Sequence, residues 1–155
     1  MFKQGSSHHE ICSFISSKLS QAGLSQKLTI IDPYGLAYDI QRPKNLKNPT
    51  TILTEILEPL RGCFHSLELV IGLQNSTNRP EQHVDTLKSN LGVDIQVLRA
   101  PSFHDRFWIV DDRLAFIVGT SLNSFGNKHF FIQNSFLDHE DTELLLNLYR
   151  NGVTN

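Results

Sequence analysis

Two residues of one apolar segment, His104 and Arg106, carry the side chains in this sequence that are best suited to chemistry. The segment that contains them, 103–110, is otherwise mostly aromatic or β-branched and predicts a β-strand. Because side chains alternate along a strand, we expect His104 and Arg106 on one face and Asp105 on the other. An imidazole can attack phosphorus or transfer a proton, and a guanidinium can neutralise charge on phosphate oxygens. The pair therefore indicates a phosphate site.

The residues that follow this pair complete a longer pattern. Asp111 lies in a polar turn after the first apolar run, and residues 119–123 (GTSLN) close the next one. The order His-x-Arg-x4-Asp and then Gly-Thr-Ser-x-Asn resembles the motif of the phospholipase D superfamily, which is H-x-K-x4-D followed by G-S/T-x-N. Two departures are visible: Arg106 stands where the family has Lys, and a spacer of seven residues, one longer than in the family, places Asn123 one position late. The pattern is more similar to a divergent bacterial branch of phospholipase-D-like domains than to the lipases.

The resemblance implies a fold, a reaction and an assembly. The fold is α/β, with a mixed, largely parallel sheet flanked by helices, and the activity is that of a phosphodiesterase, foremost a nuclease, that needs no metal and no cofactor. Family enzymes use two facing motifs: one histidine forms a phosphohistidine, and the other protonates the leaving oxygen and then activates water. This sequence has one copy of the motif, so the resemblance implies a homodimer in which His104 meets its symmetry mate.

The resemblance also assigns roles to individual residues. His104 is the expected nucleophile and acid, Arg106 the phosphate clamp, and Asp111 the residue that orients the motif through hydrogen bonds in the turn. The hydroxyl and amide side chains after Gly119 are expected to donate hydrogen bonds to phosphate; they are Ser121 foremost, then Thr120 and Asn123.

A non-catalytic module is the alternative function. Arg binds phosphate bidentately, which suits binding as well as catalysis, and the displaced Asn123 and the acidic net charge point the same way. A related His-Asp-Arg pattern occurs in the phospholipase-D-like domain of MIT-domain proteins, where the fold serves binding. Such a module would hold a protein partner, a nucleic acid or an anionic headgroup. A strict monomer could not build the paired site, so oligomeric state separates the two functions.

Four further residues are weaker candidates for the site. Asp32 and Tyr34 lie in an Asp-Pro-Tyr-Gly segment after an apolar run, and loops at the carboxyl ends of strands in α/β sheets collect ligand groups. A plain turn is the alternative. Trp108 shares the predicted strand face of the His-x-Arg pair and could stack on a base, or it could belong to the core. His129 could line the same groove or be an ordinary surface histidine.

Length and charge limit the remaining possibilities. A chain of 155 residues with ordinary composition predicts one folded domain, expected over 10–151 between short flexible ends at 1–9 and 152–155. The net charge of −2 gives no general attraction for polyanions, so a nucleic-acid partner would need a local basic patch. The clearest basic cluster, which could equally be a solvated loop, consists of Arg42, Lys44 and Lys47.

Cysteine usage and hydropathy indicate a reducing compartment. Cys12 and Cys63 each fall in an apolar helical pattern and are expected to act as small hydrophobic residues. Neither has the spacing of a metal ligand. The start of the chain has no secretory leader, and no apolar run approaches about 18 residues. We therefore expect a cytoplasmic protein without a membrane span.

The hydrophobic periodicity predicts alternating strands and helices, followed by a hairpin. The alternation through the first two thirds is typical of βα units with a parallel sheet, whereas the hairpin makes the sheet mixed. The predicted helices are 10–22, 50–60, 81–91 and 138–150, the first helix of this series ending at Gly23 and the second capped by Thr50 or Thr51. The predicted strands are 28–31, 67–71, 94–98, 103–110, 114–118 and 129–133.

Overall fold

The computed structural model describes residues 1–36, 48–72, 80–101, 104–125 and 129–152. Its helices are α1 (His8–Gln21), α2 (Pro49–Leu57), α3 (Pro80–Leu91) and α4 (His139–Gly152), with 3₁₀ turns at Glu58–Leu60 and Leu122–Ser124. Its strands are β1 (Lys27–Ile31), β2 (Ser66–Gly72), β3 (Asp94–Ala100), β4 (Phe107–Val110) and β5 (Leu114–Ile117). The basic cluster of Arg42, Lys44 and Lys47 lies outside the described residues.

The five strands form one sheet in the order β3-β2-β1-β4-β5. β1, β2 and β3 are parallel, because α2 and α3 return the chain to the same end of the sheet each time. The connection from β3 to β4 is too short for such a return, so β4 starts where β3 stops and runs antiparallel to β1. β5 pairs antiparallel with β4. The predicted α/β fold with a mixed, largely parallel sheet is thus confirmed.

Both faces of the central strands are covered, which explains why β4 reads as a continuous apolar run. One face packs under α1, α2 and α3, where Trp108 and Phe116 lie at the centre of the larger core cluster. The other face packs against α4 through Ile31, Ile109 and Leu146. The sheet is therefore held from both sides at the strands that carry the motif.

Local capping explains where the first two helices begin. Ser7 and Glu10 form a reciprocal capping box, so α1 starts at His8, two residues earlier than predicted. The cap of α2 is Asn48, whose side-chain oxygen accepts the Thr50 N–H at 2.9 Å. The predicted Thr cap was wrong, because Pro49 suits the first helical position and leaves the cap to the residue before it.

Two other sequence expectations differ from the structure. The predicted strand 129–133 is reduced to isolated bridges, in which Phe130 pairs with Phe2 and Ile132 pairs with Val118. Phe2, in the segment before α1, exchanges two backbone hydrogen bonds with Phe130. Cys12 is buried as predicted, but Cys63 is exposed because it falls in the turn after the second helix. No helix among the described residues is long and apolar enough to cross a bilayer.

Candidate active site

Two parts of the sequence motif, His-x-Arg and Gly-Thr-Ser, meet Asp32 at the carboxyl end of β1. Ile31 pairs with Phe107, and Phe107 pairs with Ile117, so the end of β1, the start of β4 and the end of β5 are neighbours. One residue further out, Asp32 and Arg106 face each other across the same end of the sheet. The antiparallel hairpin therefore brings the residues before β4 and those after β5 to the turn that follows β1.

The histidine and the arginine precede β4 and do not lie within it. The predicted strand 103–110 begins only at Phe107, so strand alternation does not orient the pair. His104 and Asp105 are exposed, and Arg106 is partly buried. The Arg106 carbonyl accepts the Val118 N–H at 3.1 Å, which holds its backbone against β5. His104 thus faces solvent, while Arg106 extends toward the interior.

Asp32 is the buried centre of this arrangement. Only 2% of the residue is exposed. Its Oδ2 accepts both the Ser121 hydroxyl and the Leu122 N–H at 2.9 Å. Its Oδ1 accepts the Tyr34 N–H at 3.0 Å and lies 3.8 Å from the Arg106 Nε. Burial raises the pKa of Asp32 above the ordinary aspartate value, and the hydrogen bonds and the guanidinium offset only part of that rise.

The two hydroxyl residues of the Gly-Thr-Ser turn are buried. Ser121 and Thr120 are each 2% exposed, and the Ser121 hydroxyl is already committed to Asp32. Among the described residues, neither Thr120 Oγ1 nor Arg106 Nε has a hydrogen-bond partner. The Asn123 side chain lies outside what the structure describes. The hydroxyl groups of this turn are therefore not open to a ligand. A ligand would reach the site from the side of Arg106.

Gly119 allows this turn to approach its neighbour closely. Its N–H donates to the Phe131 carbonyl at 2.7 Å. A Cβ at this position would lie 2.8 Å from the same oxygen, closer than van der Waals contact permits. The glycine thus fixes the path of the chain from β5 into Thr120 and Ser121.

Asp111 lies at the opposite end of β4 from His104. Its carboxylate accepts the N–H groups of Ser25, Gln26 and Lys27, the shortest at 2.7 Å, and also the Ser25 hydroxyl. Burial alone would raise the pKa of Asp111, but these hydrogen bonds outweigh burial and hold the pKa below its ordinary value. Asp111 therefore ties the hairpin turn to the start of β1, and the structure does not bring it to the histidine.

The other candidate residues are divided between surface and core. Trp108 is 1% exposed and stacks on Phe116 with ring centroids 6.2 Å apart, so it has no free face for a base. Tyr34 is 51% exposed and follows Asp32 directly. The His129 Nδ1 accepts the Gln4 N–H at 3.1 Å, which places this histidine against the start of the chain.

Sequence reasoning missed the Leu122 amide. A backbone N–H leaves no mark in the side-chain pattern, although Ser121 ahead of a short 3₁₀ turn is a typical capping position. From the sequence, Asp32 was a candidate for contact with the substrate. The structure instead places a carboxylate beneath the arginine, enclosed by donors.

The assembled site has one exposed imidazole and one guanidinium whose inner edge faces a buried carboxylate. Such a pair can bind a phosphate oxygen and supply a nucleophile or a proton from the solvent side. Within the described ranges, no group of three or more His, Cys, Asp or Glu side chains is arranged to hold a metal ion. A polar cleft of about 500 Å³ lies between α2 and α3, but no motif residue lines it.

A solved structure of another protein has a similar fold. NucT from Helicobacter pylori superposes with a TM-score of 0.59 at 10% sequence identity, and the alignment covers 97% of this chain and 92% of NucT. The expected phospholipase D-like fold is thus confirmed. TrmBL2, described as an archaeal chromatin protein with a novel mode of DNA binding, gives a TM-score of 0.48 at 8% identity over 97% of this chain and 50% of its own. No protein-family model and no curated protein matches the sequence.

Proposed function

We propose that this protein is a phosphodiesterase of the phospholipase D type, foremost a nuclease, that acts as a homodimer. The observation that carries the proposal is the exposed His104 next to Arg106, whose guanidinium faces Asp32 at the carboxyl end of β1. The fold shared with NucT supports the same class of activity.

The proposed reaction has two steps that divide one difficult substitution. A nitrogen of His104 attacks phosphorus, the phosphorus–oxygen bond to the leaving group breaks, and the histidine of a second copy gives its proton to the departing oxygen. That second histidine then takes a proton from water, which attacks phosphorus and releases His104. Arg106 neutralises the charge that develops on the non-bridging oxygens in both steps.

The homodimer follows from the single motif. One chain supplies one His-x-Arg sequence, whereas the two-step reaction needs a nucleophile and a separate acid. A two-fold axis near His104 would bring two exposed imidazoles together, because a symmetric interface places the same residue on both sides. The exposure of His104 is compatible with such an approach.

A cleavage assay with matched histidine variants tests the proposal. We expect His104→Ala to lower the cleavage of single-stranded DNA, double-stranded DNA, RNA or bis(p-nitrophenyl) phosphate by at least about a thousandfold in the presence of EDTA. His65→Ala is the control, because His65 is also exposed but precedes β2 at the other end of the sheet. Circular dichroism shows whether both variants fold. Cleavage that survives in His104→Ala would contradict the proposed mechanism.

A binding module is the second candidate, and the Arg106–Asp32 pair favours it. A guanidinium that already faces a carboxylate carries less free charge for transition-state stabilisation, although it can still hold a phosphate. In this case no phosphodiester would be cleaved, the protein would be monomeric at micromolar concentration, and oligonucleotide binding would be weakened by Arg106→Ala.

A further inference from the structure

We propose that Asp32 is the positioning residue of the phosphate site: it holds Arg106 by its inner edge and makes anion binding at Arg106 depend on its own protonation. This inference rests on the proposed function only in taking Arg106 as the group that meets phosphate. It applies equally to an enzyme and to a binding module.

The Arg106 side chain has a buried edge and an edge on the His104 side. The Nε atom, which is the inner edge of the guanidinium, is buried and lies 3.8 Å from Asp32 Oδ1. The Arg106 side chain is 22% exposed, and its Nη1 donates to the His104 carbonyl at 3.4 Å. Asp32 is therefore paired with the buried edge of the guanidinium, and Nη1 lies on the His104 side, where a phosphate would arrive.

The Asp32 side chain is itself rigidly held. Its carboxylate is fixed by three donors from two separate turns, namely Tyr34 after β1 and the Ser121 and Leu122 pair after β5. A side chain with so many fixed bonds has little rotamer freedom, so it can transmit a defined orientation to Arg106. The carboxylate is also shielded from solvent, so it cannot itself contact a substrate.

Asp32 and a bound phosphate interact electrostatically with the same guanidinium. A phosphate bound to the outer side of Arg106 would compete with Asp32 for the same positive charge, across a distance at which charges interact strongly inside a protein. Protonation of Asp32 therefore strengthens anion binding, and anion binding strengthens the protonation of Asp32 by the same factor. Because burial already favours the protonated form, this coupling acts at a higher pH than for an exposed aspartate.

The titratable neighbours of this pair are few among the described residues. The Arg106 guanidinium faces the Asp32 carboxylate. His104 and Asp105 share the segment of Arg106, and Tyr149 of α4 faces Asp105. His104 is a second ionisable side chain at this site, so the experiment must separate its contribution from that of Asp32.

Calorimetric titration with sulfate, an anion that does not titrate in this range, makes that separation. Sulfate affinity is measured at pH 8 and pH 5 for the wild type, Asp32→Asn and the control Asp112→Asn, an exchange that also removes an ion-paired carboxylate. His104 is unchanged in all three proteins. We expect acidification to strengthen binding by about tenfold more in the wild type and the control than in Asp32→Asn. Equal pH dependence in all three, or a wild type that binds no sulfate, would overturn the inference.

A second measurement needs no variant at Asp32. The Nε–Hε signal of Arg106, assigned by its loss in Arg106→Lys, is followed by NMR as pH is lowered. We expect its shift to share a midpoint with the Asp32 carboxyl carbon, and independent titrations would overturn the positioning role even if Asp32→Asn failed to fold.

Cleavage assays on the same proteins keep this inference separate from the proposed function. For an active enzyme, positioning predicts that Asp32→Asn lowers kcat without raising KM, because the charge that attracts substrate is retained. A wild type that shows the sulfate linkage but cleaves nothing would refute the nuclease and leave the role of Asp32 intact. A wild type that cleaves DNA without the linkage would refute only the role of Asp32.

Discussion

At the scale of single residues, two aspartates of similar appearance in the sequence have opposite surroundings. The pKa of Asp111 is lowered by its hydrogen bonds, so its contribution to stability is present above the unfolded aspartate pKa and is lost as pH falls through the folded value. The pKa of Asp32 is raised by burial, so its contribution is present at low pH and is lost as pH rises through the folded value. Asp111 therefore stabilises the fold at neutral pH. Asp32 lowers stability there, and its proposed role is to position Arg106.

Replacing Asp111 by Asn should destabilise the protein at neutral pH. The charge-assisted hydrogen bonds to residues 25–27 would weaken, at a cost of about 1–3 kcal/mol in the free energy of unfolding. The difference from the wild type should shrink as pH falls through the pKa of Asp111, which its hydrogen bonds hold below the ordinary aspartate value. Urea unfolding at pH 7 and at stepwise lower pH measures both effects.

The neighbouring Asp112 provides the control for this exchange. Asp111 and Asp112 share the same left-handed backbone conformation with φ of 53°. The conformational free energy of placing Asn there is therefore the same at both positions. Asp112 forms partly exposed ion pairs with Lys27 and Arg150, and its exchange should cost less than about 1 kcal/mol. Equal losses in the two variants would show that the hydrogen bonds of Asp111 are not what holds the turn.

At the scale of elements, the sequence predicted which segments form helices and strands better than it predicted how the motif is oriented. The apolar runs of β1 and β2 are visible because burial demands them. The orientation of the His-x-Arg pair was not visible, because β4 begins only at Phe107 and the preceding backbone is set by tertiary contacts with Val118. The surroundings of Asp32 were not visible either, because they depend on strand register. The register brings Asp32 to Ser121, which lies 89 positions away in the sequence.

Gly119 offers a test of how β5 delivers the Gly-Thr-Ser turn. In Gly119→Ala the new Cβ would press on the Phe131 backbone, which cannot rotate away as a side chain could. We expect a loss of about 1–3 kcal/mol in the free energy of unfolding and a displaced Ser121. Gly72→Ala is the matched exchange at another strand end, where the nearest atom would lie 3.4 Å away, and it should change stability by less than about 0.5 kcal/mol. A Gly119→Ala protein as stable as Gly72→Ala would show that the segment around Phe131 adjusts freely.

At the scale of the whole molecule, the described chain places its one motif at the end of the sheet with the imidazole open to solvent. The fold by itself is shared between enzymes and binding modules, so the fold does not decide activity. Under the proposed mechanism, activity requires a second imidazole at the same phosphate. Within one chain of this sequence no second motif exists, and the question of activity becomes a question of assembly.

Mixing experiments convert that question into a measurable ratio. If wild-type and His104→Ala chains are unfolded, mixed in equal amounts and refolded together, random pairing gives about a quarter wild-type dimers and about half mixed dimers. A site built from both copies of His104 is complete only in the wild-type dimers, so activity should fall to about a quarter of that of an equal total amount of wild type. Separate sites in each chain would instead retain about half, because every wild-type chain would remain active. Light scattering on the same samples establishes that dimers are present, and a ratio of about one half in a dimeric sample would refute the shared site while leaving the role of His104 in each chain in place.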